Sequence, residues 1–172
     1  MILRPARPHD MPELVAVGRR TFTDAFGHLY AARDLAAFLD EWRSPDRIAA
    51  NIANPNTSVT VAEGGGAIVA YCIVHFGRGF DERPDPRPAH PALLSQLYCT
   101  QAATGQGIGA ALMEDCLEHA RARACDAVQL SVWSENFGAQ RFYQRYGFEK
   151  VADIDFWVGD HRDDEHLYEL RL

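Results

Sequence analysis

Residues 103 to 112, ATGQGIGAAL, contain three glycines within five positions and continue directly into a segment with helical character. Gly105, Gly107 and Gly109 have no side chains to cover the backbone N–H groups at the start of this helix. The first N–H groups of a helix have no partner inside it, and the helix dipole favours negative charge at that end. The pattern therefore predicts an anion-binding loop that opens a helix.

Charge and composition restrict the partners of this loop. The 172 residues are 47% hydrophobic and 24% charged, which is typical of one globular domain with a sizeable core. The formal net charge of −7 argues against nucleic-acid binding, which needs a basic face, and favours a cationic substrate. A phosphate ligand would have to be held by local geometry against this overall charge.

The compartment follows from what the sequence lacks. No stretch approaches the roughly 18 apolar residues of a membrane span, and the start MILRPARPHD has no apolar run typical of a signal peptide. The four cysteines form no CxxC pair and lie in apolar segments, so reduced, buried thiols are expected. We expect a cytoplasmic protein without membrane contact. A homodimer is compatible with the sequence, which does not itself give the oligomeric state.

The hydrophobic periodicity predicts a mixed α/β sheet. The predicted order is strand 2–7, helix 9–30 with Asp10 as its N-cap, helical segments 33–42 and 44–54, a hairpin over 57–77, loop 77–91, strand 92–100, helix 107–124, strand 127–133, helix 136–146, and final strands 149–158 and 164–172. Gly147 and Phe148 follow the last helix in the order of a Schellman cap.

Two nucleotide-binding loops are disfavoured by the residues around the glycines. A Walker A loop needs Lys and Ser or Thr after its last glycine, whereas Gly109 is followed by Ala110. The dinucleotide fingerprint G-x-G-x-x-G/A fits Gly105, Gly107 and Ala110, but it needs an acidic residue at the end of the next strand. Asp126 precedes that strand instead.

The third candidate anion is the pyrophosphate of coenzyme A. LYCTQAATGQGIGAALM (residues 97–113) and LSVWSENFGAQRFYQRYGF (130–148) together resemble the GNAT acetyltransferase superfamily. The first string is similar to its motif A, a strand, a Q/R-x-x-G-x-G/A loop and a helix. The second is similar to its motif B, N-x-x-A-x-x-F-Y-x-x-x-G-F, at Asn136, Ala139, Phe142, Tyr143, Gly147 and Phe148. A looser resemblance links the chain to PaiA-like spermidine/spermine N-acetyltransferases.

The resemblance implies a single GNAT domain over residues 1–172. Its sheet is expected to be mixed and mostly antiparallel, flanked by helices, with splayed central strands that hold CoA. Backbone groups of the first strand are expected to bind the pantetheine arm, so that Cys99 is a backbone contact and not a nucleophile. The expected cofactor contacts are Leu97, Tyr98, Cys99, Thr104, Gly105, Gln106, Gly107, Ile108, Gly109, Ala110, Asn136 and Tyr143.

The sequence departs from the family pattern in two places. Thr104 replaces the usual Arg or Gln, so a charged phosphate contact worth roughly 1.5–3 kcal/mol is missing. Backbone N–H groups and the Thr104 hydroxyl are then expected to provide more of the hydrogen bonds to the phosphate. Alternatively, Arg141 or Arg145 takes the place of the missing Arg or Gln. The strand before the loop has no carboxylate among residues 93–96, so no general base is expected from it.

The resemblance implies direct transfer of acetyl from acetyl-CoA to an amine in a ternary complex. An ammonium group of pKa near 10.4 must lose its proton, and a thiolate of pKa near 8.5 must gain one. Tyr143 is the expected general acid, because a phenol of pKa near 10 suits that donation; the alternative is a tyrosine that only packs. Asn136 is either a cofactor contact or an N-cap. For the base, Glu135, His75, His90 and distant carboxylates acting through water stay open.

The acceptor is predicted to be a small molecule with a primary amine, and a polyamine is the first expectation. Phe22, Phe26, Tyr30 and Trp133 would form much of its wall, since aromatic faces attract alkylammonium groups; the alternative is a core stripe. A protein N-terminus, an amino acid or an aminoglycoside remains as an alternative acceptor. A non-catalytic acyl-CoA sensor is the alternative from another class.

No metal is expected. His161 and His166 stand beside Asp163 and Asp164, but their spacing matches no common metal site. We expect these residues to form a polar turn between the last two strands.

Overall fold

A seven-stranded sheet forms the frame of the protein, seen here in a computed structural model that describes residues 1–172. The strands are β1 (Ile2–Pro5), β2 (Thr57–Gly64), β3 (Ala67–Phe76), β4 (Pro91–Cys99), β5 (Ala127–Trp133), β6 (Glu149–Val158) and β7 (His161–Arg171). Their spatial order is β1-β2-β3-β4-β5-β7-β6, and only β4 and β5 are parallel. The expected mixed, mostly antiparallel α/β fold is confirmed.

Five α-helices cover the two faces of the sheet. They are α1 (Met11–Phe26), α2 (Ala32–Trp42), α3 (Pro45–Ala53), α4 (Ile108–Ala122) and α5 (Phe137–Arg145). Strand β3 is buried on both sides because successive side chains of a strand point to opposite faces. Its Cys72 and Val74 pack in the core that contains α4, whereas Tyr71 and Ile73 pack in the core that contains α1 and α3.

Strands β4 and β5 separate soon after they begin. Only residues 91–93 of β4 pair with residues 127–129 of β5. On its other side β4 continues to pair with β3 up to Cys99, with one irregularity that leaves Ser95 as an extra residue between Leu94 and Gln96. Such a bulge bends a strand and increases its twist. The edge of β4 that faces β5 therefore has no strand partner beyond Leu93.

The end of α5 is fixed by the predicted Schellman cap. The Gly147 N–H donates to the Gln144 carbonyl at 3.0 Å, and the Phe148 N–H donates to the Tyr143 carbonyl at 3.3 Å. Gly147 has a φ of +91°, and Phe148 is buried in the main core. The cap thus ties the backbone of Tyr143 to a residue anchored in that core.

The turn predicted around His161 to His166 is wrong, because these residues belong to β7 and pair with β6. The turn itself is short and contains Gly159, at a φ of +57°, and Asp160. Ion pairs make a charged strand possible here. His166 Nδ1 lies 3.1 Å from Asp153 Oδ1 across the two strands, and Arg162 Nη1 lies 2.9 Å from Asp164 Oδ1 along β7.

Asp10 occupies the predicted N-cap position of α1, but its carboxylate does not cap the helix. It accepts hydrogen bonds from the Arg4 guanidinium at 2.7 and 2.9 Å and from the Arg7 N–H at 2.7 Å. These charged bonds hold its pKa at about 2, well below the usual value. The partly buried pair therefore ties β1 to the start of α1, a contact between side chains six residues apart that the helix-capping rule does not include.

Gly147→Ala should destabilise the protein by about 1–2 kcal/mol, because an L side chain is strained at positive φ. The new Cβ would also lie 3.4 Å from Leu170 Cδ1. Gly138→Ala is the matched control on the same helix, where the nearest atom to a new Cβ is Asn136 Oδ1 at 3.9 Å. Urea unfolding should show no loss of stability for the control; equal losses in both variants would contradict the role given to the cap.

Candidate active site

A cavity of about 880 Å³ lies where β4 and β5 separate. It extends from the start of α4 on one face of the sheet to α1 and α2 on the other. Most of the residues that the sequence predicts for the site line it, namely Phe22, Phe26, Tyr30, Leu97, Tyr98, Cys99, Thr104, Gly109, Trp133, Asn136 and Tyr143. Gly105, Gln106, Gly107, Ile108 and Ala110 lie outside this lining, in the loop and the first turn of α4.

The loop before α4 presents six consecutive backbone N–H groups that donate no hydrogen bond within the chain, those of residues 105–110. The first bond of the helix runs from the Ala111 N–H to the Gly107 carbonyl at 3.0 Å. Gly105 and Gly107 have φ values of +75° and +77°, and a Cβ added to either would meet no atom within 4 Å. Such a concave row of donors at a helix N-terminus suits a phosphate group.

The polar side chains of the loop hydrogen-bond inside it instead of reaching outward. The Thr104 hydroxyl donates to the Gln101 carbonyl at 2.7 Å, and the Gln106 amide donates to the Ala102 carbonyl at 2.8 Å. The Ile108 side chain is buried in the core and anchors the loop from below. Arg141 and Arg145, the expected substitutes for Thr104, do not line the cavity. Within the loop itself, only backbone groups are free to bind an anion.

Tyr143 lies on α5 and has a hydroxyl with no hydrogen-bond partner in the chain. Its ring packs against Phe142 and Phe148 at centroid distances of 5.4 and 5.8 Å. Burial raises the pKa of Tyr143 well above its usual value, and the nearby Tyr98 acts in the same direction. The phenol therefore stays protonated at neutral pH and is available as a proton donor.

Asn136 is an N-cap, one of the two roles that the sequence left open, and its contact with the cofactor stays a prediction. Its side-chain oxygen accepts a hydrogen bond from the Ala139 N–H at 3.1 Å, so it caps α5. It also lines the cavity.

The aromatic residues of α1 belong to a core cluster and to the cavity wall at the same time. Phe22 is buried and lies 5.2 Å from Phe26, which meets the edge of Trp133 at 6.4 Å between ring centroids. The hydroxyl of Tyr30 donates to Asp163 Oδ2 at 2.5 Å. Burial and this carboxylate raise the pKa of Tyr30 well above its usual value. The stripe predicted from the sequence therefore forms a fixed apolar wall.

Glu165 was not among the residues predicted from the sequence. It lies on β7 opposite Trp133 of β5 and Ile154 of β6, and it lines the cavity. Its Oε2 atom is buried without a hydrogen-bond partner. Burial raises the pKa of Glu165 to about 7; the Ser131 hydroxyl opposes this shift, and the charge of Asp163 adds to it. A carboxylate of this pKa can accept a proton near neutral pH.

The base candidates taken from the sequence are less well placed. His90 and Glu135 are exposed and lie outside the cavity lining. His75 does line the cavity, with its Nδ1 3.0 Å from the Thr57 hydroxyl, and burial lowers its pKa. Glu165 could have been found from strand parity, because it shares a face of β7 with the buried Leu167.

Arg43 brings a positive charge to the same cavity and is only 5% exposed. Its Cζ atom lies 5.5, 5.6 and 5.7 Å from the ring centroids of Phe22, Phe38 and Tyr98. Its Nη1 donates to the Trp42 carbonyl at 3.3 Å, the guanidinium also interacts with the hydroxyls of Tyr71 and Tyr98, and its Nε has no partner. No carboxylate lies within ion-pair distance.

Comparison with known proteins identifies the class. The model of the Acetyltransferase (GNAT) family matches residues 19–148. An uncharacterized N-acetyltransferase of Mycobacterium tuberculosis, Rv2669, is 32% identical over 158 residues, which are 92% of this chain and 95% of that protein. The chain therefore belongs to the GNAT family. It is an acyltransferase of the N-acetyltransferase type.

Two further likenesses concern the PaiA branch and polyamine enzymes. The structure of PaiA N-acetyltransferase from Thermoplasma acidophilum, in complex with coenzyme A, superposes with a TM-score of 0.80 at 16% identity and covers 99% of this chain and 98% of its own. The spermine/spermidine N(1)-acetyltransferase of Bacillus subtilis is 30% identical over 64 residues, only 37% of this chain and 42% of that enzyme. The first likeness confirms the fold, and the second covers a minor part of the chain.

Glu165→Gln should stabilise the protein at pH 8 by about 1–3 kcal/mol, because Glu165 must be ionised there while largely removed from water. Its folded-state pKa lies above the ordinary value, so the cost is absent below about pH 4.5 and grows as the pH rises through 7. Urea unfolding at pH 5 and pH 8 should show a gain that shrinks at the lower pH. The exposed Glu135→Gln is the control; a gain of equal size at both pH values would mean that Glu165 titrates normally.

Proposed function

We propose that the protein binds acetyl-CoA and transfers its acetyl group directly to the primary amine of a small acceptor. The observation that carries this proposal is the row of free N–H groups of residues 105–110, beside a cavity that also contains Tyr143 and Glu165. The row provides donors for the pyrophosphate. The free edge of β4 at Leu97, Tyr98 and Cys99 offers backbone groups to the pantetheine arm, as if to another strand.

The two ionisable groups suit the two proton transfers of the reaction. The ammonium first gives one proton to Glu165, directly or through water, and the neutral amine then attacks the acetyl carbon. As the carbon–sulfur bond breaks, the leaving thiolate takes the proton of Tyr143, and the second proton lost by the nitrogen returns to the phenolate. The burial that raises the pKa of Glu165 to about 7 gives this carboxylate a useful affinity for a proton near neutral pH. Burial makes Tyr143 a weaker acid than a free phenol, so it keeps its proton until negative charge forms on the sulfur.

For the acceptor we propose a small cationic amine, with a polyamine as the first candidate. The aromatic wall supports this choice, since ring faces attract alkylammonium groups. Acidic residues of the cavity lining also support it, namely Glu82, Asp155 and Glu165. The partial likeness to the Bacillus enzyme points the same way. A protein N-terminus, an amino acid or an aminoglycoside is the alternative, and Arg43 favours the amino acid.

The same proposal includes the setting in which the enzyme works. We propose that residues 1–172 act as one domain in the cytoplasm, where four unpaired cysteines suit a reducing compartment. No helix of the structure has the length and apolar character needed to span a membrane. The sequence is also compatible with a homodimer, and light scattering in solution tests for it.

The proposal is tested by thiol release from acetyl-CoA against a panel of amines. We expect at least one primary amine to accelerate CoA release well above the rate with water alone. If CoA raises the melting temperature while no amine accelerates thiol release, the chain is a non-catalytic acyl-CoA sensor. The retained Tyr143 and Glu165 argue against that alternative, because a sensor needs neither proton donor nor acceptor.

Gly107→Glu should abolish CoA binding, because it places a carboxylate where the phosphates must lie. Gly66→Glu is the matched control: Gly66 has a φ of +79°, close to the +77° of Gly107, and equally open surroundings, but it lies in the β2–β3 hairpin. Both variants should lose similar stability, and only the control should keep the rise in melting temperature that CoA causes. Undiminished CoA binding by Gly107→Glu would place the phosphates elsewhere.

Tyr143→Phe should lower kcat by about 100-fold or more and leave the KM for acetyl-CoA nearly unchanged, because it removes a proton donor and keeps the ring. Tyr146→Phe is the control on the same helix; its hydroxyl only reaches the Ala110 carbonyl at 3.4 Å. Initial rates at saturating amine measure the difference. A kcat equal to that of the unmodified enzyme would remove Tyr143 as the acid.

A further inference from the structure

Two buried side-chain polar atoms in the chain lack a hydrogen-bond partner, Arg43 Nε and Glu165 Oε2. Both residues line the 880 Å³ cavity. Native proteins leave few buried polar groups unmatched, because each one loses its hydration without replacement. The coincidence of both in one cavity indicates that a ligand provides the missing partners.

Nothing in the chain neutralises the charge of Arg43. The guanidinium interacts with the hydroxyls of Tyr71 and Tyr98 and lowers their pKa values, but burial outweighs this and raises both, so the two phenols stay neutral and supply no negative charge. The rings of Phe22, Phe38 and Tyr98 attract the guanidinium through their faces. They do not accept its five N–H groups, of which one is hydrogen-bonded to the Trp42 carbonyl.

The amide of Gln96 adds a second donor in this part of the cavity. Gln96 is 8% exposed and lines the cavity. Its oxygen accepts the Tyr71 hydroxyl at 2.9 Å, and the ring of Tyr71 stacks on that of Tyr98 at 6.0 Å. The Gln96 amide nitrogen donates to no group of the chain, which leaves it available to a ligand.

Arg43 and Glu165 have opposite charges but form no ion pair with each other. Tyr98 lies within the electrostatic influence of both: Arg43 lowers its pKa and Glu165 raises it, while burial dominates. The lining of the cavity therefore contains an unpaired guanidinium and a carboxyl group with an unpartnered oxygen. A ligand that satisfies both groups carries an amine and an anionic group.

We propose that the acceptor is a small amino-carboxylic acid whose carboxylate binds Arg43 while its amine faces Glu165. A planar carboxylate matches the N–H groups of a guanidinium and can accept two of them at once. A polyamine satisfies Glu165 but leaves Arg43 unpaired and adds positive charge beside it. This inference rests on the proposed acetyl transfer and puts an amino acid before the polyamine as the candidate acceptor.

The first experiment compares acceptors that differ only in the carboxylate. Lysine with cadaverine, ornithine with putrescine, and 4-aminobutyrate with propylamine are such pairs, and lysine amide separates charge from size. We expect the carboxylate member of at least one pair to have a kcat/KM about 10- to 100-fold higher, the usual contribution of a charged hydrogen bond. Lysine amide should behave like cadaverine.

The second experiment replaces Arg43 with a residue of similar length. In Arg43→Met, the ratio of kcat/KM between the two members of the preferred pair should fall toward one. Arg47→Met is the matched control, because Arg47 also lines the cavity but is exposed and stacks over Trp42 at 4.3 Å. The control should keep the preference for the carboxylate.

Stability without acceptor separates a binding role from a structural one. An unpaired buried charge that is kept for a ligand destabilises the free protein, so Arg43→Met should melt at the same temperature as the unmodified protein or higher. If the three aromatic contacts exist only to stabilise the fold, Arg43→Met should melt at a lower temperature.

Each outcome has a definite meaning. Three results overturn the inference and leave the acetyltransferase proposal intact. The first is a preference for the decarboxylated amines, and the second is a loss of carboxylate preference in Arg47→Met instead of Arg43→Met. The third is destabilisation by Arg43→Met without a change in preference. Absence of thiol release with every amine of the panel contradicts the proposed function itself.

Discussion

The separation of β4 and β5 after three paired residues is the constraint on which the site depends. A strand edge inside a protein normally finds a partner, because unpaired backbone groups away from water are costly. Here the bulge at Ser95 bends β4 away, and the gap becomes the cavity. Tyr143 and Glu165 line that gap, and the loop before α4 adjoins it. The cavity thus exists because β4 and β5 do not pair along their full length.

The sequence predicted those parts of the fold and site that depend on local patterns. The glycine loop, the end of α5 at Gly147 and the order of the strands follow from short-range rules on backbone conformation and hydrophobic period. The resemblance in residues 97–113 and 130–148 added the chemistry. Arg43 and Glu165 were not predicted as site residues because neither lies in a recognisable sequence motif. Their importance comes from burial without a partner, which only the packing of α1, α2, β4 and β7 creates.

The errors of the sequence reading have a common physical cause. Residues 161–166 looked like a polar turn because they are charged, yet ion pairs along β7 and to β6 make them a strand. Asp10 looked like a helix cap because of its position, yet its carboxylate binds Arg4. In both cases a charged group found its partner through tertiary structure. Prediction rules based on local sequence treat charged side chains as exposed to solvent. Their predictions are therefore wrong where the fold pairs side chains of opposite charge.

The way in which the loop before α4 holds an anion affects how the protein responds to its surroundings. Its six donors are backbone amides, none of which titrates, and the side chains of Thr104 and Gln106 are occupied inside the loop. A site built from arginine or histidine would couple ligand affinity to charge regulation. A site built from amides does not, so the proton transfers proposed for Tyr143 and Glu165 are independent of the groups that bind the anion. Anion binding and proton transfer thus depend on different groups, so a substitution can change one without changing the other.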